Sequence, residues 1–500
     1  MPFDTLPEFL SVLESRGELK RIATPVDPVL EVAEIADRVS KAPDRLGRYA
    51  GSSLPQTSTP AVNQALLFEH VHGSTLPLAI NTFGSYARMN LALGCDNFDQ
   101  LADRIAELTK PEVPVGIMNK IKKGLDFLKI GSYVPKVRSG KGRCQEVIHT
   151  DDADITQLPI IQCWPEDGGK YITLGQIVTK HPDTGARNLG MYRVQIFDKK
   201  MTAMHWHPHH DGARHFRAWA QQGVPCPLAI TLGGESALPY AATAPLPPGI
   251  DEHMFAGFLM GRGLDLVPCQ TIPLEVSANA EIVIEGYVDP RQTILEGPFG
   301  DHTGFYSLAD QFPIFRITAI THCRNPIYPT TIVGKPPQED FYLGKATERL
   351  FLPLLKMIVP DILDYDLPMF GVFHNCAFIK IRKEYPYHAR KVMSAIWGAG
   401  QMAWTKMIIV VDEPVDVHSV DDVLFHVAAN VDPKRDIQLV DGPLDILDHA
   451  APFPGAGSKM GIDATKKWPG EGVVRDWPNE IKMDDATVAK VTKRWKEYGF

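Results

Sequence analysis

The chain has 500 residues, 44% hydrophobic and 22% charged, with a formal net charge of −9 and a mean hydropathy of −0.12. That length exceeds one ordinary core, and at roughly 100–200 residues per domain three domains are expected. The acidic balance, with no block of like charges, excludes an electrostatic footprint for nucleic acid or an anionic surface. No apolar run approaches the roughly 20 residues of a membrane-spanning helix, and the first residues lack a signal-peptide layout, so a cytoplasmic location is expected.

Leu6, Phe9, Leu10 and Leu13 recur at helical spacing, Gly17 can supply a left-handed cap, and Glu18–Ile22 reads as a strand. Asp27-Pro28 predicts a helix start, with the Asp as cap and the Pro at the first helical position, and Val32, Ile35, Ala36 and Val39 on one face. Ala65–Val71 and Leu76–Phe83 are apolar runs of strand length, and Phe98–Leu108 is a predicted helix stopped by Pro111. Together these elements predict an α/β domain over residues 1–114.

From residue 115 the texture changes to short β-rich runs broken by Gly and Pro, with Ser139-Gly-Lys-Gly-Arg143 as a polar loop and not a phosphate cradle. Tyr171–Lys180, Ala186–Phe197 and Met201–His207 are predicted antiparallel strands. Asp211 caps a predicted helix through Trp219, and Ile282–Val288 and Phe315–His322 return to strand patterning. Residues 115–330 therefore predict a β-barrel or sandwich. Residues 331–500 predict a second α/β domain, with helices over Glu339–Met357 and Tyr387–Ala399, a buried strand at Lys406–Val411 and a helix start at Ser419-Val-Asp-Asp422. Val488, Val491, Trp495 and Tyr498 mark a final amphipathic helix, expected to pack on its own domain, with a subunit contact as the alternative. The whole is an α+β multidomain chain. Its seven cysteines are widely spread without a C-x-x-C pair and are expected to be reduced.

Residues that carry chemistry concentrate between Asn188 and Asp301. His205, His207 and His209 alternate on a predicted strand and so share a face, with His210 following. Such a face fits either a metal site or a polar barrel wall of hydrogen-bonded histidines. Zinc seldom uses an amide oxygen. Asn188 and Glu252 add hard oxygens, giving a set better suited to Mn²⁺ or Mg²⁺, whose open positions accept phosphate oxygens and water. Arg193 lies five residues beyond Asn188, on the opposite face of a regular strand unless a bulge intervenes. Glu296 and Asp301 flank a Gly/Pro-rich loop that can fold both carboxylates into one cavity. Near a single arginine their pKa values can be pushed apart, leaving one ionised and one protonated as a donor. No G-x-G-x-x-G, G-x-x-x-x-G-K-[ST] or G-x-S-x-G motif occurs, which disfavours Rossmann, P-loop and α/β-hydrolase readings.

Asp167-Gly-Gly-Lys-Tyr171, Asn188–Arg193, Glu296-Gly-Pro-Phe-Gly-Asp-His-Thr-Gly304 and Gly457-Ser-Lys-Met-Gly-Ile-Asp-Ala-Thr-Lys-Lys-Trp-Pro-Gly470 occur in one order along the chain. In that order they resemble the UbiD-type decarboxylases, which use prenylated FMN, and most closely the 3-polyprenyl-4-hydroxybenzoate carboxy-lyases of ubiquinone biosynthesis. The resemblance implies an N-terminal α/β domain, a central split β-barrel of flavin-reductase type that holds the cofactor, and a C-terminal α/β domain that supports oligomerisation. It also implies that Asn188, His209 and Glu252 hold Mn²⁺ (or Mg²⁺) against the cofactor phosphate, with K⁺ nearby. Met191, Tyr192, Arg193, His205, Trp206, His207, His210 and Asp211 would line the prenylated flavin. Arg193, Glu296 and Asp301 match the family's catalytic residues, with Asp301 as proton donor. The family pattern registers on His209, and a one-place slip would move the ligand to His210.

The implied partners are an aromatic carboxylic acid substrate, a flavin prenyltransferase that supplies the cofactor, and further copies of the chain in a dimer or hexamer. A polyprenyl substrate would bring peripheral membrane contact. The chemistry is consistent with these roles: loss of CO₂ from an aromatic carbon leaves an electron pair that no side chain can delocalise, so a cofactor must act as electron sink. Three alternatives stand beside this reading: a small phenolic acid such as vanillate, protocatechuate or 4-hydroxybenzoate as substrate, a His-rich metallohydrolase, and a flavin carrier without decarboxylase activity.

Overall fold

The structure, a computed structural model, describes residues 1–44, 61–109, 130–207, 210–247 and 249–500. The helix Leu6–Ser15 starts where the Thr5 hydroxyl accepts the Glu8 N–H, ends before left-handed Gly17, and buries Leu6, Phe9, Leu10 and Leu13 as the spacing predicts. Leu19–Ile22 pairs in parallel with Ala65–Phe68, which pairs antiparallel with Leu78–Ile80. Tyr328–Pro329 then adds a fourth, parallel strand from far along the chain, tying the first sheet to the end of the central region.

The second helix starts at Glu31, later than expected. The Asp27 carboxylate accepts the Val29 N–H and the Glu31 side chain accepts the Asp27 N–H, so Asp27-Pro28 closes a turn ahead of the helix instead of capping it. The helix expected over Phe98–Leu108 is present as Phe98–Thr109, and its proposed stop, Pro111, lies outside the described residues.

The central region is built on a nine-stranded sheet. Its path runs Tyr171–Ile172, Val194–Ile196, Met201–Met204, Asp310–His322, Ile282–Glu296, Cys226–Leu232, Gln176–Lys180 and Arg187–Met191, with Val147–His149 also paired to Asp310–His322. Arg187–Met191 and Val194–Ile196 stand near opposite ends of that path, yet only Tyr192 and Arg193 join them. Three peptide units span about 11 Å at most. The sheet must therefore curl until its edges meet at this dipeptide.

This curling corrects three strand expectations. Tyr171–Lys180 and Ala186–Phe197 are each two strands, because the chain changes sheet edge at Thr173–Gly175 and again at Tyr192–Arg193. The third strand stops at Met204, before the histidines. Conversely, Ile282–Glu296 and Asp310–His322 are longer than their apolar cores predict, and their hairpin, with register shifts after Glu285 and Val288, carries Glu296 out to the rim.

Beyond the sheet, the helix Glu339–Ile358 leads into five strands in the order Ile362–Asp366, Cys376–Ile381, Met407–Asp412, Ala456–Asp463 and Ile437–Pro443, parallel at the centre and antiparallel at both edges. Ser419 caps Val420–Asn430 as expected. The last helix, Asp485–Lys493, buries none of its residues, and Val488 and Trp495 are 49% and 50% exposed, contrary to the expectation that it packs on its own domain. Periodicity shows which face is apolar and not what covers it. All seven cysteines are unpaired, and among the described residues no helix is long and apolar enough to cross a membrane.

Candidate active site

The edge crossing at Tyr192–Arg193 is what aims Arg193 inward. Free of strand alternation, its buried guanidinium donates from Nε and Nη2 to the two oxygens of Glu296 at 2.8 and 3.1 Å and from Nη1 to Asp301 Oδ2 at 2.6 Å. The group also lies 4.6 Å from the centre of the Phe299 ring. Glu296 is the last residue of its long strand and not a loop residue, and Phe299–Gly300 pairs with Tyr306–Ser307 to turn Asp301 back toward the same cation. At Gly300 a Cβ would meet the Trp164 ring at 2.2 Å, so only glycine passes there.

Asp167, which the motif marked without a role, and Gln195, which no motif singled out, fasten this turn. Asp167 accepts the backbone N–H groups of Cys163, Trp164 and Gly300. Gln195 accepts the Gly297 N–H at 2.8 Å and donates to the Gly168 carbonyl at 2.7 Å. The signal was present in Asp167-Gly-Gly-Lys-Tyr171, which the resemblance already marked without a physical reason.

Each acid has its own imidazole. His205 Nδ1 lies 2.9 Å from Glu296 Oε2, and His302 Nδ1 lies 2.9 Å from Asp301 Oδ1. Burial alone would raise Asp301, but the His302 hydrogen bond and the charges of His302 and Arg193 hold it far below the usual carboxylate range. Burial likewise works against Glu296, and His205 and Arg193 outweigh it. Burial would lower His302 too, yet its contact with Asp301 holds it above the ordinary histidine value, whereas His205 is pulled down by burial. The expectation of one ionised and one protonated acid is therefore not met: one guanidinium serves both carboxylates, and both are ionised.

A second group forms around Asn188 and Glu252. Glu252 opens the helix Glu252–Met260, and its carboxylate accepts the Asn188 side-chain N–H at 3.0 Å and the Leu189 N–H at 2.9 Å. Among the described residues the buried Asn188 Oδ1 has no hydrogen-bond partner, and burial pushes Glu252 up to about 7. An orphaned acceptor beside a carboxylate short of positive charge fits a cation. The expected third ligand, His209, lies outside the described residues. His210 Nδ1 accepts the backbone N–H of His207 at 3.3 Å, and its ring lies 4.9 Å from those of His207 and Tyr192.

Between the two groups, the Tyr192 ring fits against Gly190, where a Cβ would meet its hydroxyl at 2.3 Å, and meets Trp206 edge-on. The buried Trp206 indole N–H has no partner among the described residues, a donor that suits a polar ligand atom. Although the strand ends at Met204, His205 and His207 still approach to 2.9 Å between their Nε2 atoms. Met191 closes its strand and donates its N–H to Ala242. Asp211 is the first residue of the helix Asp211–Gln221 and pairs with Arg214, while His210 takes the cap position expected of Asp211.

Three family models match the chain in order. The N-terminal domain of 3-octaprenyl-4-hydroxybenzoate carboxy-lyase matches residues 10–108, its Rift-related domain residues 135–336 and its C-terminal domain residues 341–464. The chain belongs to the UbiD family of carboxy-lyases. As a UbiD-class enzyme it is a decarboxylase. An uncharacterized protein of Aquifex aeolicus (strain VF5) is 46% identical over 495 residues, covering 99% of this chain and 98% of the relative. Among solved structures, vanillic acid decarboxylase of Sedimentibacter hydroxybenzoicus in its closed form is 27% identical, with a TM-score of 0.81 over 100% of this chain and 98% of that one. The UbiD-class enzyme HmfF of Pelotomaculum thermopropionicum, in complex with FMN, is 28% identical, with a TM-score of 0.76 over 95% of this chain and 97% of that one.

Proposed function

We propose that this UbiD-class enzyme holds prenylated FMN in the curled central sheet and removes CO₂ reversibly from an aromatic acid, 3-polyprenyl-4-hydroxybenzoate in ubiquinone biosynthesis being the leading substrate. The observation that carries the reading is the buried guanidinium of Arg193 shared by Glu296 and Asp301, a few residues along the chain from Asn188, whose Oδ1 has no partner among the described residues. The name of the matching family supports the prenylated substrate, and the likeness to vanillic acid decarboxylase supports a small phenolic acid as the second reading. Family membership leaves the metallohydrolase and flavin-carrier readings without support.

In this reading Asn188, His209 and Glu252 hold Mn²⁺ or Mg²⁺ against the cofactor phosphate, with K⁺ beside them. Met191, Tyr192, Arg193, His205, Trp206, His207, His210 and Asp211 line the flavin. The bound cofactor supplies the electron sink that the reaction needs. Arg193 orients the substrate carboxylate, Glu296 stays ionised against it, and Asp301 delivers the proton that replaces CO₂. Because Asp301 is ionised at rest, it has to gain a proton before it can give one. The proposed division runs at 114/115 and 330/331, with the last domain forming a dimer or hexamer. A flavin prenyltransferase supplies the cofactor in the cytoplasm, and a polyprenyl substrate would draw the enzyme to the membrane surface.

Glu252→Ala tests the cation side. Purified after co-expression with a flavin prenyltransferase, the variant is expected to retain at least about tenfold less flavin, read from its visible absorption. Undiminished flavin content would remove Glu252 from the site. CO₂ release from a panel of prenylated and small hydroxybenzoates then separates the two substrate readings.

A further inference from the structure

Asp301 has a neighbour that the proposed reaction leaves without a role. Its Oδ1 faces His302 Nδ1 at 2.9 Å and accepts the His302 backbone N–H at 2.8 Å, while Arg193 occupies Oδ2. The other ring nitrogen of His302 lies 2.9 Å from Nε2 of His374, a residue from the C-terminal region. Two ring nitrogens at that separation must share one proton, one as donor and the other as acceptor.

His374 is delivered by a strained turn. Val372 and Phe373 take left-handed backbone at φ 39° and 72°, conformations unfavourable for a branched or aromatic residue. The turn sets the Phe373 ring 5.6 Å from the His302 ring and places His374 Nε2 3.8 Å from Asp445 Oδ2. His302 thus sits in the seam between the central sheet and the C-terminal region. Asp301 and, beyond it, Arg193 face it from the sheet, Asp340 from the helix Glu339–Ile358, and His374 and Asp445 from the C-terminal side, where Asp448 also faces His374.

We propose that His302, oriented by His374 across this seam, is the proton reservoir that recharges Asp301 in every turnover. The inference rests on Asp301 being the proton donor. Decarboxylation consumes one proton, R–COO⁻ + H⁺ → R–H + CO₂, and Asp301 is left as a carboxylate after each cycle. At rest the His302 imidazolium donates Nδ1–H to Asp301 and Nε2–H to neutral His374. Burial pushes His374 down to about 4 while His302 is held above its ordinary value, which assigns the shared proton to His302. In turnover the Nδ1 proton passes to Asp301 and from there to the carbon that lost CO₂, whose electron pair forms the C–H bond. A carboxylate then faces a bare Nδ1, two acceptors opposed, so neutral His302 regains a proton from water. His302 and His374 act through Asp301 and are positioning residues.

The sign of the pH dependence follows. Supply from His302 is full below its raised pKa and lost as pH rises through it, whereas without His302 the proton is held only by Asp301. At pH 7.5, His302→Gln in the holoenzyme is expected to lower CO₂ release by about 10²-fold, with roughly tenfold recovered per pH unit of acidification. His374→Leu, which leaves the acid and His302 in place, should move the basic limb of kcat down by about one pH unit. NMR of ¹⁵N-histidine-labelled holoenzyme, which needs no substrate, should show the His302 ring doubly protonated at pH 7, and titrating more than about one unit lower in Asp301→Asn. A neutral His302 at pH 7, or a pH-independent loss in His302→Gln, overturns the reservoir. If Asp301→Asn is inactive in that case, the donor assignment survives; if Asp301→Asn is fully active, the donor assignment itself is lost.

Discussion

Asp301→Asn is expected to lower kcat by roughly 10²–10⁴-fold, the range that a positioned general acid contributes, while bound flavin stays in place. Asparagine nearly matches aspartate in shape but carries no acidic proton. Its amide also offers one acceptor where two donors converge, Arg193 Nη1 on one oxygen and His302 on the other. One of those contacts becomes N–H against N–H. Steady-state CO₂ release measured beside the visible flavin spectrum separates the two effects, since the cation group around Asn188 and Glu252 is untouched. Full activity with full flavin content would sink the proton-donor role.

Arg193→Met should cost both activity and stability. Glu296 and Asp301 are buried, and the same cation holds both ionised. Removing it leaves two buried carboxylates without their common partner, a loss of about 3–5 kcal/mol by the rule for one-sided breakage of a buried ion pair. In the native enzyme both acids have depressed pKa values, so their contribution is present above the unfolded carboxylate pKa and is lost as pH falls through the folded one. In the variant, burial favours the protonated forms instead. The gap in stability between native and variant is therefore expected to be widest near pH 7.5 and to narrow toward pH 4.5, measured by denaturant unfolding at both values. An equal gap at the two pH values would mean that the acids do not depend on Arg193. Arg193→Lys should restore part of the stability and little of the activity, because an ammonium lacks the fork that spans two carboxylates.

Much of this was legible from local pattern. The spacing of Leu6, Phe9, Leu10 and Leu13 marks the face that the first helix buries, and Ser419 caps the helix expected of it. Arg193, Glu296 and Asp301, named from motif, do converge on one another. What stayed hidden is tertiary. Alternation along Ala186–Phe197 cannot reveal that the chain leaves one sheet edge after Met191 and joins another at Val194. Two acids beside an arginine do not disclose that each also meets an imidazole, because His205 and Glu296 are 91 positions apart and His374 reaches His302 from 72 positions away. Asp167 and Gln195 act on backbone groups of the turn before Asp301, a role that leaves no periodic trace.

The identity of the bound flavin tests the proposed chemistry most directly. Mass spectrometry of the cofactor extracted from the chain after co-expression with an active flavin prenyltransferase is expected to show prenylated FMN, accompanied by a divalent metal other than zinc. A colourless protein that carries zinc and no flavin would contradict it.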